Sequence, residues 1–510
     1  MSVKDPNKAY VSMEDKWRRC RDVSAGKDSM YEAGERYLPK LSDQSNVEYD
    51  AYRGRTPFFN ATWRTISGLQ GMLFRQPPNV VVPDTVVPML QDITMSCEPF
   101  HIFTLELTEE ILTVGRVGIF VDYPPVDTTN LTLADAQRLN LRPTMASYTA
   151  ETIINWKMSI INNASVLSQV VLVEVVDDQG EDEFTVTEKT QYRVLDLTPI
   201  QTPTGETRYI YRVRVFEVKE KDGTQVDTLT EGPIFPIING DFVEFIPFYF
   251  VSVDDVDCDI DLPPLLDLID MNISHYQSTA DYEHGCHFTG LPTAVITGYV
   301  PESSTAKFGI GSMTAWIFPR PDAKAFYLEF TGQGLDCLKV NIAGKEQKMA
   351  VLGARMLEAQ ASGTESADTA GIHRSGEQST LASIAQAVSM GVKQALKTFC
   401  LFSGIEDTSV VDFDLNRDFF PPQIDALTLT ALIAGWQNGA YGYESLFNML
   451  KQAEIVKQEQ DVDSEIASMA KHPPVIPGGT QVNQEGTSKN PTQTSSKMDN
   501  PTVRELQTPP

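Results

Sequence analysis

Apolar residues recur at three- and four-residue steps through the first part of the chain, which is the spacing of amphipathic helices. Residues 10–36 carry a charged helical pattern. In YDAYRGRTPFFNATWRTISGLQGMLFRQPP at 49–78, Phe59, Trp63, Ile66, Leu69 and Leu73 fall on one helical face. Thr56-Pro57 predicts the start of that helix, with threonine as cap and proline in the first turn, and Pro77-Pro78 predicts its end. Gly68 and Gly71 interrupt it at about 1 kcal/mol each relative to alanine, a cost that close backbone packing would explain. Another helix is expected at 99–114.

From Arg116 the period shortens to that of strands. VGIFVDYPP at 117–125 is a short apolar run, and further runs lie at 165–176, 191–198 and 208–219. TPTGET at 202–207 separates the last two and predicts a hairpin in a mixed or antiparallel β unit. After Pro263-Pro264 the helical period returns, with Leu266, Ile269, Ile273, Tyr276 and Ala280 in register. A helix over 264–287 would be ~36 Å long. Strand-like runs fill 291–331. A second long helix is expected at 335–357, with Leu338, Ile342, Met349, Leu352 and Met356 aligned. The polar stretch at 359–378 leads to a third helix, about 376–403, with a capping box expected at Ser375 and Gln378 and a stop at Gly404. Two more helices are expected at 422–437 and 443–456. The Pro-, Ser-, Thr- and Gln-rich remainder predicts a disordered tail, placed at 457–510. The fold class is α+β.

A chain of 510 residues exceeds one compact core, and 41% hydrophobic content is enough to build several. The formal net charge of −28 makes any grip on nucleic-acid phosphate local or weak. Six cysteines without a C-x-x-C pair fit a reducing compartment rather than a disulfide framework. No secretory leader and no run of about 18 apolar residues is visible, so no membrane partner is expected.

Candidate chemistry is sparse. Asp254, Asp255, Asp257, Asp259 and Asp261 form an acidic cluster that lacks the glycine and glutamate of an EF-hand, and a solvated loop before a helix is the expected reading. His284, Cys286 and His287 lack the further ligands a zinc site needs. There is no P-loop and no dinucleotide fingerprint. No catalytic residue, metal or cofactor is expected, and the chain is not expected to be an enzyme.

YRGRTPFFNATWRTISGLQGMLFRQPP, HYQSTADYEHGCHFTGLPTAVITGY and ASGTESADTAGIHRSGEQSTLASIAQAV resemble portal proteins of tailed bacteriophages. The resemblance spans roughly residues 10–455 and is nearest to the subgroup carried as a domain of unknown function in phage head proteins. It implies a wing at 1–262, stem helices at 263–290 and 333–358 and a clip at 291–332. It further implies a channel loop at 359–378, a long helix at 379–404 and a crown at 405–456. The implied assembly is a ring, typically a homododecamer, at one capsid vertex. Double-stranded DNA would enter through it, driven by the terminase large subunit, and leave through it. The implied neighbours are the major capsid or scaffold protein and a head-tail adaptor, and the implied location is the virion, reached from the host cytoplasm.

By the same resemblance Ser362, Thr364, Glu365, Asp368, His373, Arg374, Lys393 and Lys397 would face the channel. Ile273, Tyr276, Ile342, Met349, Leu352 and Met356 would line stem contacts between subunits. Two alternatives stay open: another virion structural protein (an adaptor or minor capsid protein), or a metal-dependent hydrolase using Asp257, Asp259 and Asp261.

Overall fold

A computed structural model describes residues 2–124, 138–179, 186–203, 205–221, 224–290, 293–298, 322–328, 333–354, 379–419, 426–452, 455–456 and 460–471. The chain divides into two compact units, Met1–Phe420 and Pro421–Pro510.

The first unit opens with α1 (Lys8–Ala25) and α2 (Lys27–Ala33), separated by Gly26 at φ +99°. Asn7 caps α1 by accepting from the Ala9 amide. Next comes α3 (Asn46–Arg55), begun by a reciprocal capping box between Ser45 and Glu48. Then α4 (Ala61–Leu73) starts at Asn60, whose side chain accepts from the Trp63 amide. The expected start at Thr56-Pro57 is therefore corrected. Thr56 is buried, its hydroxyl donates to the Tyr52 carbonyl at 2.9 Å, and it closes α3 instead. Ile66, Leu69 and Leu73 face the core as expected, but Phe59 and Trp63 stay exposed.

Strand β1 (Asn79–Val81) and helix α5 (Phe100–Val114) follow, the helix ending at Gly115 in the left-handed region. Strands β2 (Arg116–Asp122) and β3 (Thr144–Thr149) form an antiparallel sheet with β11 (Phe248–Ser252), in the order β11-β2-β3. Between them runs a five-stranded antiparallel meander: β4 (Ile153–Ile161), β5 (Ala164–Gln179), β6 (Val186–Gln201), β7 (Thr207–Lys221) and β8 (Thr224–Ile234). The 202–206 turn joins β6 and β7, as its residues predict. The small pair β9 (Ile237–Ile238) and β10 (Asp241–Phe242) follows.

One face of the meander builds a core from Trp156, Val170, Leu172, Leu195, Tyr211 and Val213 against Phe248 and Phe250. The other face holds Ile154, Val171 and Val194 and is crossed by the N-terminal segment. Ser2 and Val3 bond Asp227 of β8, and the Asn7 amide reaches the Ile154 carbonyl of β4.

Helices α6 (Leu266–Gly290) and α7 (Gln333–Ala354) pack as an antiparallel pair, and between them β12 (Thr293–Thr297) pairs with β13 (Lys324–Leu328). Helix α8 (Thr380–Phe402) runs through the main core, with Leu381, Ile384, Val388, Val392, Ala395, Leu396 and Phe399 fully buried. Ser379 caps it. The expected box at Ser375 and Gln378 lies outside the described residues. Its far end closes on Gly404 (φ +83°): the Gly404 amide donates to Leu401 and the Ile405 amide to Cys400, each at 3.0 Å. At its centre Gly391 lets α8 approach β11, since a Cβ there would sit 2.4 Å from Val251 Cγ2.

Residues 405–419 were expected in a crown, yet β14 (Asp412–Asp414) pairs with β1 and belongs to the first unit. The second unit contains α9 (Ala426–Gln437), α10 (Tyr443–Gln452) and α11 (Val462–Lys471). Trp436, Tyr443 and Phe447 pack ring to ring, at 5.8 and 6.0 Å between centroids. Because α11 lies inside 457–510, the expected tail cannot begin at 457.

Candidate functional site

The α6–α7 pair is zipped by polar contacts. Lys345 Nζ of α7 donates to the Ser274 carbonyl and Oγ, each at 2.8 Å, and to Ser278 Oγ at 2.6 Å. Burial pulls the Lys345 ammonium below its usual range. One position along, His275 Nε2 meets Glu346 Oε1 at 3.4 Å, while its Nδ1 is buried with no hydrogen-bond partner. Burial lowers the His275 pKa, opposed by Glu346. Gly285 leaves room for Leu335, which lies 2.5 Å from where a Cβ would stand.

The outer side of α6 is fastened to the N-terminal helices. Asn272, fully buried, accepts from the Ala61 and Thr62 amides and the Thr62 hydroxyl at 3.1, 3.2 and 3.2 Å, and donates to the Phe59 carbonyl at 2.9 Å. It caps α4 from another helix. Tyr52 donates to Asp281 at 2.8 Å, Gln277 donates to the Tyr37 carbonyl at 2.8 Å, and Arg19 pairs with Asp270 at 3.0 Å. The sequence carried a signal for Asn272: it is the one polar residue in the stripe Leu265, Leu268, Ile269, Asn272, Tyr276, Ala280.

This docking covers two of the residues expected in stem contacts, Tyr276 and Met349, from within the chain. Tyr276 is buried edge-on against Phe58 at 5.5 Å, and Met349 is buried in the same core, so neither offers surface to a neighbouring subunit. Ile273 and Leu352 are half-buried against that core, and Ile342 is half-buried. The exposed large apolar residues of α7 are Val340, 73% exposed, and Val351. Met356 lies outside the described residues.

Helix α8 leaves one narrow strip uncovered, through Gln386, Met390, Lys393, Gln394 and Lys397. Lys393 is tied to Asp412 of β14 at 2.7 Å and, with help from Lys397, holds that carboxyl below its usual range. Of the two lysines expected as a basic belt, Lys393 is thus paired with a carboxylate, and Lys397 acts on it only through space. Ser362, Thr364, Glu365, Asp368, His373 and Arg374 lie outside the described residues.

The acidic cluster folds upon itself. Asp255 accepts from the Asp257 amide at 3.2 Å, Asp257 from the Asp259 amide at 2.8 Å, and Asp261 from the Val253 and Asp254 amides at 3.2 and 3.4 Å. Beneath it the fully buried Arg116 donates to the Cys258 carbonyl at 3.2 Å and stacks on Trp156 and Phe250. Burial lowers its pKa to about 10, against the pull of Cys258, Asp257, Asp259 and Asp261, so it stays charged at neutral pH. Among the described residues no group of three or more His, Cys, Asp or Glu side chains is placed to hold a metal ion. His284 packs edge-on against Tyr52 and Phe288, at 5.2 and 4.6 Å. No described helix is long and apolar enough to cross a membrane.

A family described only as a domain of unknown function (DUF4055) matches residues 264–403, from the start of the α6 region to the end of α8. No curated protein matches the chain. Three solved structures of gene transfer agent particles are similar at a distance. The virion of the native particle gives 11% identity over 75% of this chain and 87% of that one, with a TM-score of 0.34. The neck of the empty particle, computed with C6 symmetry, gives 11%, 76%, 87% and 0.34. The neck of the native particle, computed with C12 symmetry, gives 10%, 77%, 89% and 0.35. Superpositions this loose carry no argument about what the chain does.

Proposed function

We propose that the chain is a subunit of a phage portal, a ring that forms the DNA channel at one capsid vertex and has no catalysis of its own. One observation carries this reading. Within 264–403 an antiparallel helix pair encloses a small β hairpin and is followed by a long helix, the order of stem, clip and channel helix that the sequence resemblance implies. On this reading the α6 anchorage through Asn272, Gln277 and Asp281 holds the stem rigidly to the wing. The strip on α8 is suited to passing DNA. Its amides, the carboxylate-paired Lys393 and the half-buried Lys397 offer weak polar contact without a strong phosphate grip, and the net charge of −28 keeps passage low in friction. The terminase large subunit, the capsid or scaffold protein and a head-tail adaptor would dock on the ring.

Negative-stain microscopy of the purified protein tests this directly. Rings with a central hole are expected, and a uniformly monomeric protein would refute the reading. Val340→Asp should leave the subunit folded, because the side chain is solvent-exposed, yet should weaken ring formation in sedimentation. Deleting 362–376 should spare rings and impair DNA packaging or retention.

A further inference from the structure

A cavity of about 380 Å³ lies beside α3 and the end of α6, but a second cavity, in the first unit, has the more coherent chemistry. It measures about 340 Å³, within the range of small-ligand sites. It is bounded by the end of β2, strands β6 to β9 and the C-terminal end of α8. Its walls are apolar: Ile234, Phe235, Pro236, Ile238, Leu401 and Phe402. Its polar groups are Asp122, Tyr123, Glu231, Arg193 and Asn239, the Tyr123 hydroxyl donating to the Leu141 carbonyl at 3.5 Å.

The electrostatics of this cavity lean one way. Arg193 is already committed to Glu174, with Nε–Oε1 at 2.6 Å and Nη2–Oε2 at 3.3 Å, and it reaches Asp122 only at 4.0 Å. Glu231 is held in the ladder of β8 opposite Val215, and its exposed carboxylate makes no hydrogen bond or ion pair among the described residues. Asn239 is turned toward Glu406 at 3.5 Å. Burial, then the like charges of Glu174 and Glu231, raise the Asp122 carboxyl above its usual range, against the pull of Arg193. The C-terminal end of the 23-residue α8, whose Leu401, Phe402 and Gly404 line the wall, adds the negative pole of its dipole. Carboxylates and helix pole together leave an uncompensated negative field at one end of an apolar groove.

We infer that this cavity docks an arginine side chain carried between apolar residues on a segment of a partner protein. The aliphatic stem and flanking residues would lie on the Ile234, Phe235 and Phe402 walls, and the planar guanidinium would meet the carboxylates of Asp122 and Glu231. A neutral apolar guest would leave those carboxylates uncompensated, and an anion would be repelled.

The probe is a fluorescein-labelled peptide, Ala-Leu-Arg-Leu-Ala, followed by anisotropy with the full-length protein. Its control replaces arginine by citrulline, which has the same shape and no charge. The arginine peptide should bind about tenfold more tightly or better, and the preference should shrink in about 0.5 M salt. Glu231→Gln, at an exposed side chain that holds nothing else in place, should cut the preference to about threefold or less, and Asp122→Asn should act the same way. Equal binding of the two peptides would overturn the proposal, because the groove would then be purely apolar. Failure of the arginine peptide to bind at about 1 mM would also overturn it. Self-association abolished by Glu231→Gln, with no peptide bound, would assign the groove to a second copy of the chain and overturn it equally.

Discussion

Asn272 joins the helical hairpin to the N-terminal helices, and its removal has a calculable cost. In Asn272→Ala the Ala61 amide keeps a partner, since it also donates to the Phe59 carbonyl at 2.9 Å. The Thr62 amide and hydroxyl have only Asn272 Oδ1, and both are buried. Two orphaned buried donors cost about 1–3 kcal/mol each, part of which relaxation recovers, so about 3 kcal/mol is expected. That corresponds to roughly a hundredfold rise in the opening equilibrium of the first turn of α4. Hydrogen exchange at residues 61–66 reads this locally, which matters because a chain of two units does not unfold in one step. Asn272→Leu separates the causes: it restores volume but not the acceptor, so it should lose nearly as much protection as alanine. If both variants exchanged within about threefold of the wild type, the cross-helix cap would not be what holds α4 to α6.

Gly391→Ala should destabilise the first unit by about 1–3 kcal/mol, because its Cβ meets a Val251 side chain that is buried and cannot swing away. Adding Val251→Ala should return part of that loss in urea unfolding, and a neutral Gly391→Ala would show that the contact has slack. His275 is held neutral by burial, so the unfolded chain takes up a proton that the folded chain resists. Its contribution to stability is present above the ordinary histidine pKa of 6.5 and is lost as pH falls below it. Melting curves should therefore drop less between pH 7 and pH 5.5 for His275→Gln than for the wild type, and equal drops would refute the assignment.

The long periodic stretches were legible because one physical signal dominated them. α5, α6 and α8 and strands β5 to β7 bury wide apolar faces, and their patterns name them. Strands β4 and β8 escaped because they are the edges of the meander, where Lys157, Gln225 and Asp227 mix with Ile160 and Leu229 and blur the alternation. The start of α4 was misplaced because two cap signals stand four residues apart. Thr56-Pro57 has the better sequence signature, but the Thr56 hydroxyl is spent on the Tyr52 carbonyl, which leaves Asn60 to begin the helix. Two of the expected stem contacts, Tyr276 and Met349, were misjudged in a different way. Periodicity locates the apolar face of a helix without saying whether its own chain or another subunit covers it, and Tyr276 and Met349 turned out to be covered from within. Most of the expected channel residues fall at 362–374, outside the described residues.

The two glycines of α4 remain the least economical feature of the sequence. Close packing inside the chain does not account for them, since a Cβ at Gly68 or at Gly71 would meet nothing within 4 Å and both positions are exposed. They lie on the same open side of the helix as Trp63, which is 42% exposed. Each should be costing about 0.5–1 kcal/mol of helix stability with no internal return. Gly68→Ala with Gly71→Ala should therefore raise the stability of the isolated chain by about 1–2 kcal/mol, read as a higher urea midpoint. A midpoint that fell would mean the helix geometry at these positions is not what it is taken to be. On the ring reading, the glycines keep a face flat enough for a neighbouring subunit, and the added methyl groups would hold the two backbones apart. The double variant should then be more stable as a subunit and poorer at forming rings, measured by sedimentation. More stable subunits that assembled normally would leave the helix energetics intact and remove α4 from the subunit contact.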